Sequence, residues 1–316
     1  MVAKVFIDGE AGTTGLQIRD RLAGRHDLTL LSIPQEQRKD KSVRAALLNQ
    51  ADIAILCLPD DAAKESVSLI ENATTRVIDA STAHRVAEGW AYGFAEMSKD
   101  QGAAIAAARF VANPGCWPQG AIATLRPLIE AGLIPADHPV TVNGITGYSG
   151  GGRQMIEDYE HRGEDAPEFM PYALGFNHKH LPEMKTYAGL ARDPLFQPAV
   201  GNFAQGMAVC VPLQLWTLPK APTGAALHAA IADFYAGIEH SFVGVAPFAA
   251  IEKTPELDPE IYNNTNRMRL HVFANEARAQ ALLVAIYDNL GKGASGAAVQ
   301  NLNLMLGVAA DTSLAA

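Results

Sequence analysis

Three cysteines, nine histidines and a few glycine-rich turns hold most of the reactive chemistry of this 316-residue chain. Cys116 stands in Asn113-Pro-Gly-Cys116-Trp-Pro-Gln-Gly120, a turn that runs into an apolar helical pattern through Ile122, Leu125 and Leu128. A thiol at the head of a helix faces unpaired backbone amides, which favour its thiolate and offer donors to a nearby oxyanion. Nucleophilic catalysis through a covalent intermediate is the chemistry this placement allows. Cys57 lies in an apolar strand pattern and Cys210 in a Val-Cys-Val-Pro run, where a thiol usually serves as a small inert hydrophobe. The cysteines are too scattered for a disulfide framework, and no Cys/His spacing suits zinc, so no metal is expected.

Two glycine-rich turns can hold anions. Gly9-Glu-Ala-Gly12-Thr13-Thr14-Gly15 leaves an apolar run and enters a helical pattern, so glycines permit a tight turn while helix amides face a pyrophosphate. Its spacing is GxxGxxG, and Thr13 and Thr14 add hydroxyl donors. The second apolar run ends Leu30-Leu31-Ser32-Ile33-Pro34 without the carboxylate that would take a ribose 2′-hydroxyl. Ser32, Arg38 and Lys39 can receive a 2′-phosphate, so NADP is expected over NAD. Ser149-Gly-Gly-Gly-Arg153 forms a basic turn before a helical pattern and suits a phosphate or a carboxylate, with Arg85 a second anion clamp.

These residues need a scaffold, and the periodicity supplies one. Apolar runs at 2–8, 28–33, 52–58 and 76–80 alternate with helical stretches at 12–24, 41–50 and 60–72, which predicts a parallel sheet. After Cys116 the strands expected near 140–146, 206–215, 242–248, 267–275 and 280–287 have fewer helices between them, the clearest at 224–237. A mixed or antiparallel sheet in a second domain follows. The segment 294–306 reads as a terminal helix packing on a sheet. The expected organisation is α/β, a Rossmann-like NADP-binding domain from 1–115 with 290–316, and an α+β catalytic and oligomerisation domain with a mixed sheet from 116–289.

Bulk properties narrow the partners. The formal net charge is −9 and the pI about 5.5, with no basic stripe, so neither nucleic acid nor an anionic membrane surface is an expected partner. The opening residues lack the basic and apolar regions of a signal peptide, and no run approaches the length of a membrane span, so a cytoplasmic location is expected.

Six stretches together resemble the N-acetyl-γ-glutamyl-phosphate reductases, relatives of the aspartate-semialdehyde dehydrogenases. They are the turn at 9–15, Asp79-Ala-Ser-Thr-Ala-His-Arg85, Asn113-Pro-Gly-Cys116-Trp-Pro-Gln119, Tyr148-Ser-Gly-Gly-Gly-Arg153, His178-Lys-His180-Leu-Pro-Glu183 and the run at 292–301. The length and the wording at 79–85 resemble the shorter form of the family, whereas Glu10 and Phe94-Ala-Glu96 depart from its common pattern.

The resemblance implies NADPH-dependent reduction of an acyl phosphate, N-acetyl-L-glutamyl 5-phosphate, in arginine biosynthesis. It implies Cys116 as nucleophile, His180 as acid/base residue with His178 its rival, and Asn301 near the nicotinamide. Arg85, Asn113, Ser149, Arg153 and Glu183 are the implied substrate contacts, and a homotetramer assembled through the second domain is the implied state. The same chemistry on aspartyl phosphate or an N-modified aminoadipyl phosphate is the nearest alternative.

Overall fold

The apolar run at the start of the chain folds as β1 (Ala3–Asp8), its last four residues buried. A computed structural model describes residues 2–248 and 257–315. The chain divides into two units, one of Met1–Ala95, Asp100–Gly115 and Ala294–Ala315, the other of Glu96–Lys99 and Cys116–Gly293.

In the first unit β1 is followed by α1 (Thr13–Leu22), β2 (Leu28–Leu31), α2 (Lys41–Gln50), β3 (Ile53–Leu56), α3 (Asp60–Ser68), β4 (Arg76–Asp79), β5 (Ala91–Tyr92), α4 (Gln101–Ala107) and β6 (Phe110–Ala112). The strands form one sheet in the order β2-β1-β3-β4-β6-β5, each neighbouring pair parallel. Every residue of β3 is buried, as a central parallel strand covered on both faces requires. Asp40 caps α2 by accepting from the amides of Ser42 and Val43, a contribution of about 1 kcal/mol.

Several expected spans are shortened, among them 52–58 to β3 and, in the second unit, 242–248 to Val243–Val245. The run at 28–33 leaves the sheet after Leu31, shortly before Pro34, which has no amide to donate. The helical stretch expected over 60–72 stops at Ser68, because Asn72 turns the chain by accepting from the amides of Thr74 and Thr75.

The second unit opens with α5 (Cys116–Glu130) and continues through β7 (Thr141–Gly147), α6 (Gly152–Arg162), β8 (Phe169–Pro171), α7 (Leu181–Ala188), β9 (Leu195–Gly201), β10 (Met207–Gln214), α8 (Gly224–Ala236), β11 (Val243–Val245), β12 (Met268–Asn275) and β13 (Gln280–Tyr287). Its sheet has the order β11-β12-β13-β10-β7-β9-β8, with β11–β12 and β7–β9 parallel and the other pairs antiparallel. Between β7 and β9 the helix expected after the Ser149–Arg153 turn forms as α6, and α7 is a further helix that the sequence pattern did not predict. The apolar face of α5 lies on β10 and β13, and α8 covers β12. Gly120 permits the close approach of α5, for a Cβ there would stand 2.8 Å from both the Tyr287 hydroxyl and a Val209 methyl. The last helix, α9 (Gly296–Leu306), returns to the first unit and packs on α1, α4 and β4. No helix among the described residues is long and apolar enough to cross a membrane.

Candidate active site

The glycine turn between β1 and α1 has a shape that only glycine can fill. Gly9 has φ +92°, and a Cβ on it would lie 2.3 Å from the Cys57 carbonyl oxygen. At Gly15 a Cβ would lie 2.6 Å from the Gly9 carbonyl. Gly12 occupies the N-cap position of α1 without a side-chain cap, so the first amides of the helix remain for an anion. Beside this turn runs a cleft of about 600 Å³ whose wall includes Gly9, Gly12, Ile33, Arg38 and Lys39. Asp8 is neutralised at the cleft by Arg44, with Nη2 donating to Oδ2 at 3.0 Å, and by the Ser66 hydroxyl at 2.8 Å. Gly15, Thr13 and Thr14 form the turn into α1 but not the cleft wall, and Ser32 likewise flanks it.

Also in the first unit, Asn113, Asn301 and Arg85 form one hydrogen-bonded group. Asn301 donates from Nδ2 to the Gly93 carbonyl and to Asn113 Oδ1, each at 3.0 Å. Asn113 donates to the Ala294 carbonyl at 3.0 Å, and Arg85 donates from Nε to the Asn113 carbonyl at 3.0 Å. Asn301 Oδ1 is buried without a hydrogen-bond partner among the described residues. Sequence reasoning missed two features here. A Cβ at Gly93 would sit 2.3 Å from Asn301 Nδ2, so this glycine admits the amide. Asp79, fully buried, accepts from Ser81 Oγ at 2.7 Å and pairs with His84 Nδ1 at 2.6 Å, while Trp90 stacks on His84.

In the second unit Cys116 is the first residue of α5, and none of the three cysteines is in a disulfide. The Tyr287 hydroxyl fixes this helix start, donating to the Cys116 carbonyl at 2.6 Å and accepting from the Gly120 amide at 3.0 Å. The indole of Trp117 donates to the Tyr172 hydroxyl at 2.9 Å. From Tyr172 a chain of rings leads to His178, at 5.8 Å between centroids, and on to His180, at 4.6 Å. Phe196 meets both Trp117 and His178 edge-on. Burial pushes the Tyr172 hydroxyl up, and a charge on Cys116 would add to the effect.

His180 is buried at the N-cap of α7, a helix outside those expected from the sequence pattern. Pro182 in its first turn suits a helix start, where no amide partner is needed. His178 is tied down locally, its Nδ1 accepting from the His180 amide at 3.1 Å. Glu183 is buried in the first turn of α7, and the Tyr187 hydroxyl is pushed up to about 12 by burial and then by Glu183. Ser149 is buried and its Oγ accepts from Asn289 at 3.0 Å. Arg153 stands apart from this group, exposed on α6 and paired with Glu157 at 2.6 Å one turn on.

Residues 4–105 match the family model described as the semialdehyde dehydrogenase NAD binding domain, and residues 116–289 that of the semialdehyde dehydrogenase dimerisation domain. Fold and site thereby define the class, an oxidoreductase of the semialdehyde dehydrogenase type. The chain is 75% identical, over 97% of its length and 99% of the relative's, to N-acetyl-gamma-glutamyl-phosphate reductase of Chelativorans sp. strain BNC1. It is 70% identical to the protein of that name from Mesorhizobium japonicum, covering 98% of this chain and all of the other. The chain belongs to the N-acetyl-γ-glutamyl-phosphate reductase family. Among solved structures, aspartate semialdehyde dehydrogenase II of Vibrio cholerae shares the fold at a TM-score of 0.70 and 15% identity, over 97% of this chain and 98% of that one. Aspartate semialdehyde dehydrogenase of Candida albicans, solved with NADP, does so at 0.64 and 14%, over 97% and 99%.

Proposed function

We propose that this chain reduces N-acetyl-L-glutamyl 5-phosphate to N-acetyl-L-glutamate 5-semialdehyde and phosphate with NADPH, a step of arginine biosynthesis, through a thioester on Cys116. The observation that carries the reading is the 75% identity, over nearly the whole chain, to a protein named for that substrate. The position of Cys116 at the head of α5 supports the thioester.

The first unit fits the cofactor. Its turn is packed so closely that neither Gly9 nor Gly15 has room for a Cβ, and the N-terminal amides of α1 lie uncapped beside it. Gly9, Gly12, Thr13, Thr14 and Gly15 would hold the pyrophosphate, and Ser32 with Arg38 the 2′-phosphate. The unsatisfied Asn301 Oδ1 is an acceptor suited to a carboxamide N–H. Bound NADPH supplies the hydride that takes the thioester carbonyl to the hemithioacetal level.

The protein's own groups do the rest. Cys116 Sγ attacks the acyl carbon as a thiolate and phosphate leaves, forming the C–S bond as the C–O bond breaks. His180 helps generate the thiolate and delivers the proton to the hemithioacetal oxygen. When the C–S bond breaks the proton is taken back, and the aldehyde and the thiolate are released. Arg85, Asn113, Ser149 and Glu183 recognise the substrate's carboxylate, amide and phosphate, and Arg153 would join them only by leaving Glu157. We further place the enzyme in the cytoplasm, where thiols stay reduced, as a homotetramer built through the second unit.

A spectrophotometric assay in the oxidative direction tests the reading, with N-acetylglutamate semialdehyde, NADP and phosphate. NADPH formation that requires phosphate or arsenate is the expected result. Phosphate-independent formation of N-acetylglutamate, or a preference for aspartate semialdehyde, would reject it.

A further inference from the structure

We propose that the buried ion pair Lys292–Glu96 is a positioning device for the Cys116 thiol, holding the backbone at Gly293 against the nucleophile as a fixed wall. The inference rests on the reading of Cys116 as the nucleophile. Glu96, Lys292, Gly293 and Cys116 all lie in the second unit.

Lys292 is completely buried and Glu96 is 2% exposed, with Nζ 2.6 Å from Oε2. A fully buried lysine is rare, and none of the steps above needs one. An interior ion pair gives back in attraction little more than its desolvation costs, so stability alone is a weak reason to keep it. What such a pair does supply is geometry. Glu96 is held from its other oxygen, which accepts from the Phe242 amide at 3.1 Å, and the Phe242 ring lies 5.7 Å from the ammonium. The lysine side chain therefore ends in a fixed seat, and its backbone is fixed with it.

That backbone belongs to a π-helical turn, Gly291–Ser295, which makes direct contact with the nucleophile. A Cβ at Gly293 would stand 3.0 Å from Cys116 Cβ, closer than ordinary contact. The Lys292 carbonyl accepts from Gln119 Nε2 at 2.8 Å, and Gln119 sits one turn along α5 from Cys116. The Gly293 amide donates to the Asp288 carbonyl at 2.9 Å, and the Asp288 carboxylate accepts from the amides of Leu290 and Asn264, each at 2.8 Å. The turn is thus gripped at three points and leans on the thiol-bearing residue. Wide turns of this type inside helices recur at functional sites, where they aim a particular group.

Three variants test the proposal: Glu96→Asp, which keeps both charges and shortens the reach by one methylene; Gly293→Ala, which keeps the pair and presses on Cys116; and Lys292→Met with Glu96→Gln, which removes both charges. Each is assayed for kcat and KM, for NADPH affinity, and for the rate at which iodoacetamide alkylates Cys116. A displacement near 1 Å of a reacting group costs on the order of a hundredfold. The expected result is a fall in kcat of at least about tenfold in Gly293→Ala and Glu96→Asp. KM and NADPH affinity should stay near those of the unmodified enzyme, while the alkylation rate moves severalfold. A merely structural pair would lower thermal stability and leave the kcat and alkylation rate of the folded protein unchanged, which overturns the proposal. Should the doubly neutral variant fail to fold, native kcat and alkylation rates in the other two overturn it equally. If the unmodified protein shows no turnover of the semialdehyde, the parent reading fails, and the alkylation series still decides whether the pair positions the thiol.

Discussion

Cys57 and Cys116 are both partly covered thiols, one just past the end of β3 and the other at the head of α5. Burial pushes the Cys57 thiol up to about 12, and the carboxylates of Asp79 and Asp8 add to the shift. At pH 8 only about one Cys57 in ten thousand is then a thiolate, the form that reacts. Iodoacetamide at that pH should therefore label Cys116 and spare Cys57, as peptide mass spectrometry can check; prominent Cys57 labelling would contradict this. Cys116→Ser should bind NADPH normally and lose nearly all turnover, while Cys57→Ser remains active. His180→Asn should lower kcat by roughly a hundredfold to ten-thousandfold with NADPH affinity retained, and His178→Asn far less. If His178→Asn proves the crippling change, the acid/base role belongs to that ring. That Cys116 heads a helix was legible in sequence, because the turn before it and the apolar spacing after it are local. Tyr287 and Tyr172 were not, since they reach Cys116 and Trp117 across 171 and 55 positions of chain.

At the level of elements, legibility followed apolar content more than length. The four-residue strands β2, β3 and β4 stand in apolar runs and were read as readily as β1, β12 and β13, whereas β5 has two residues and β6 three. Pro198 disguises β9, because a residue without an amide argues against a strand interior. His180 looked like part of a loop because α7 is only eight residues long. The turn between β1 and α1 was readable from its glycines, though not the contacts that demand them. Gly15→Ala places a methyl 2.6 Å from the Gly9 carbonyl, a backbone atom that cannot yield without reshaping the turn. Titration should show NADPH affinity weakened at least about tenfold in this variant, the loss of more than one charge-assisted contact, with the thermal midpoint lowered as well. Arg38→Ala should act on one phosphate alone, costing about 1.5–3 kcal/mol with NADPH and almost nothing with NADH. Equal losses with both cofactors would move the 2′-phosphate away from Arg38.

At the scale of the whole molecule, the outer face of the second sheet is the feature that a single chain leaves unexplained. One face of β10, β12 and β13 is covered by α5 and α8. Strand register puts Pro212, Leu282 and Phe273 side by side on the other face, with Cys210, Val284 and His271 in the next row. In β12 the residues of this face alternate with fully buried ones and are only partly covered, although Phe273 is a large apolar side chain. Such a face is suited to the same face of a second chain, in keeping with the match of residues 116–289 to a dimerisation domain. Phe273→Glu would set a charge in the middle of that row on every subunit, opposing association without touching α5 or the glycine turn. Light scattering should give a mass near four times 33.6 kDa for the unmodified protein and a smaller one for Phe273→Glu. A native mass in that variant would place the interface elsewhere. His271 adds a pH signature at the same face, because desolvation, and secondarily Arg269, hold its imidazole below the ordinary 6.5. Above pH 6.5 folded and unfolded chains both keep this ring neutral. As the pH falls below that value the unfolded chain takes up a proton that the folded one refuses, so the stability present at higher pH is lost progressively down to the folded pKa. The thermal midpoint should therefore drop on acidification from pH 7 toward 5, and less steeply in His271→Gln. Parallel curves for the two proteins would remove His271 from the acid response.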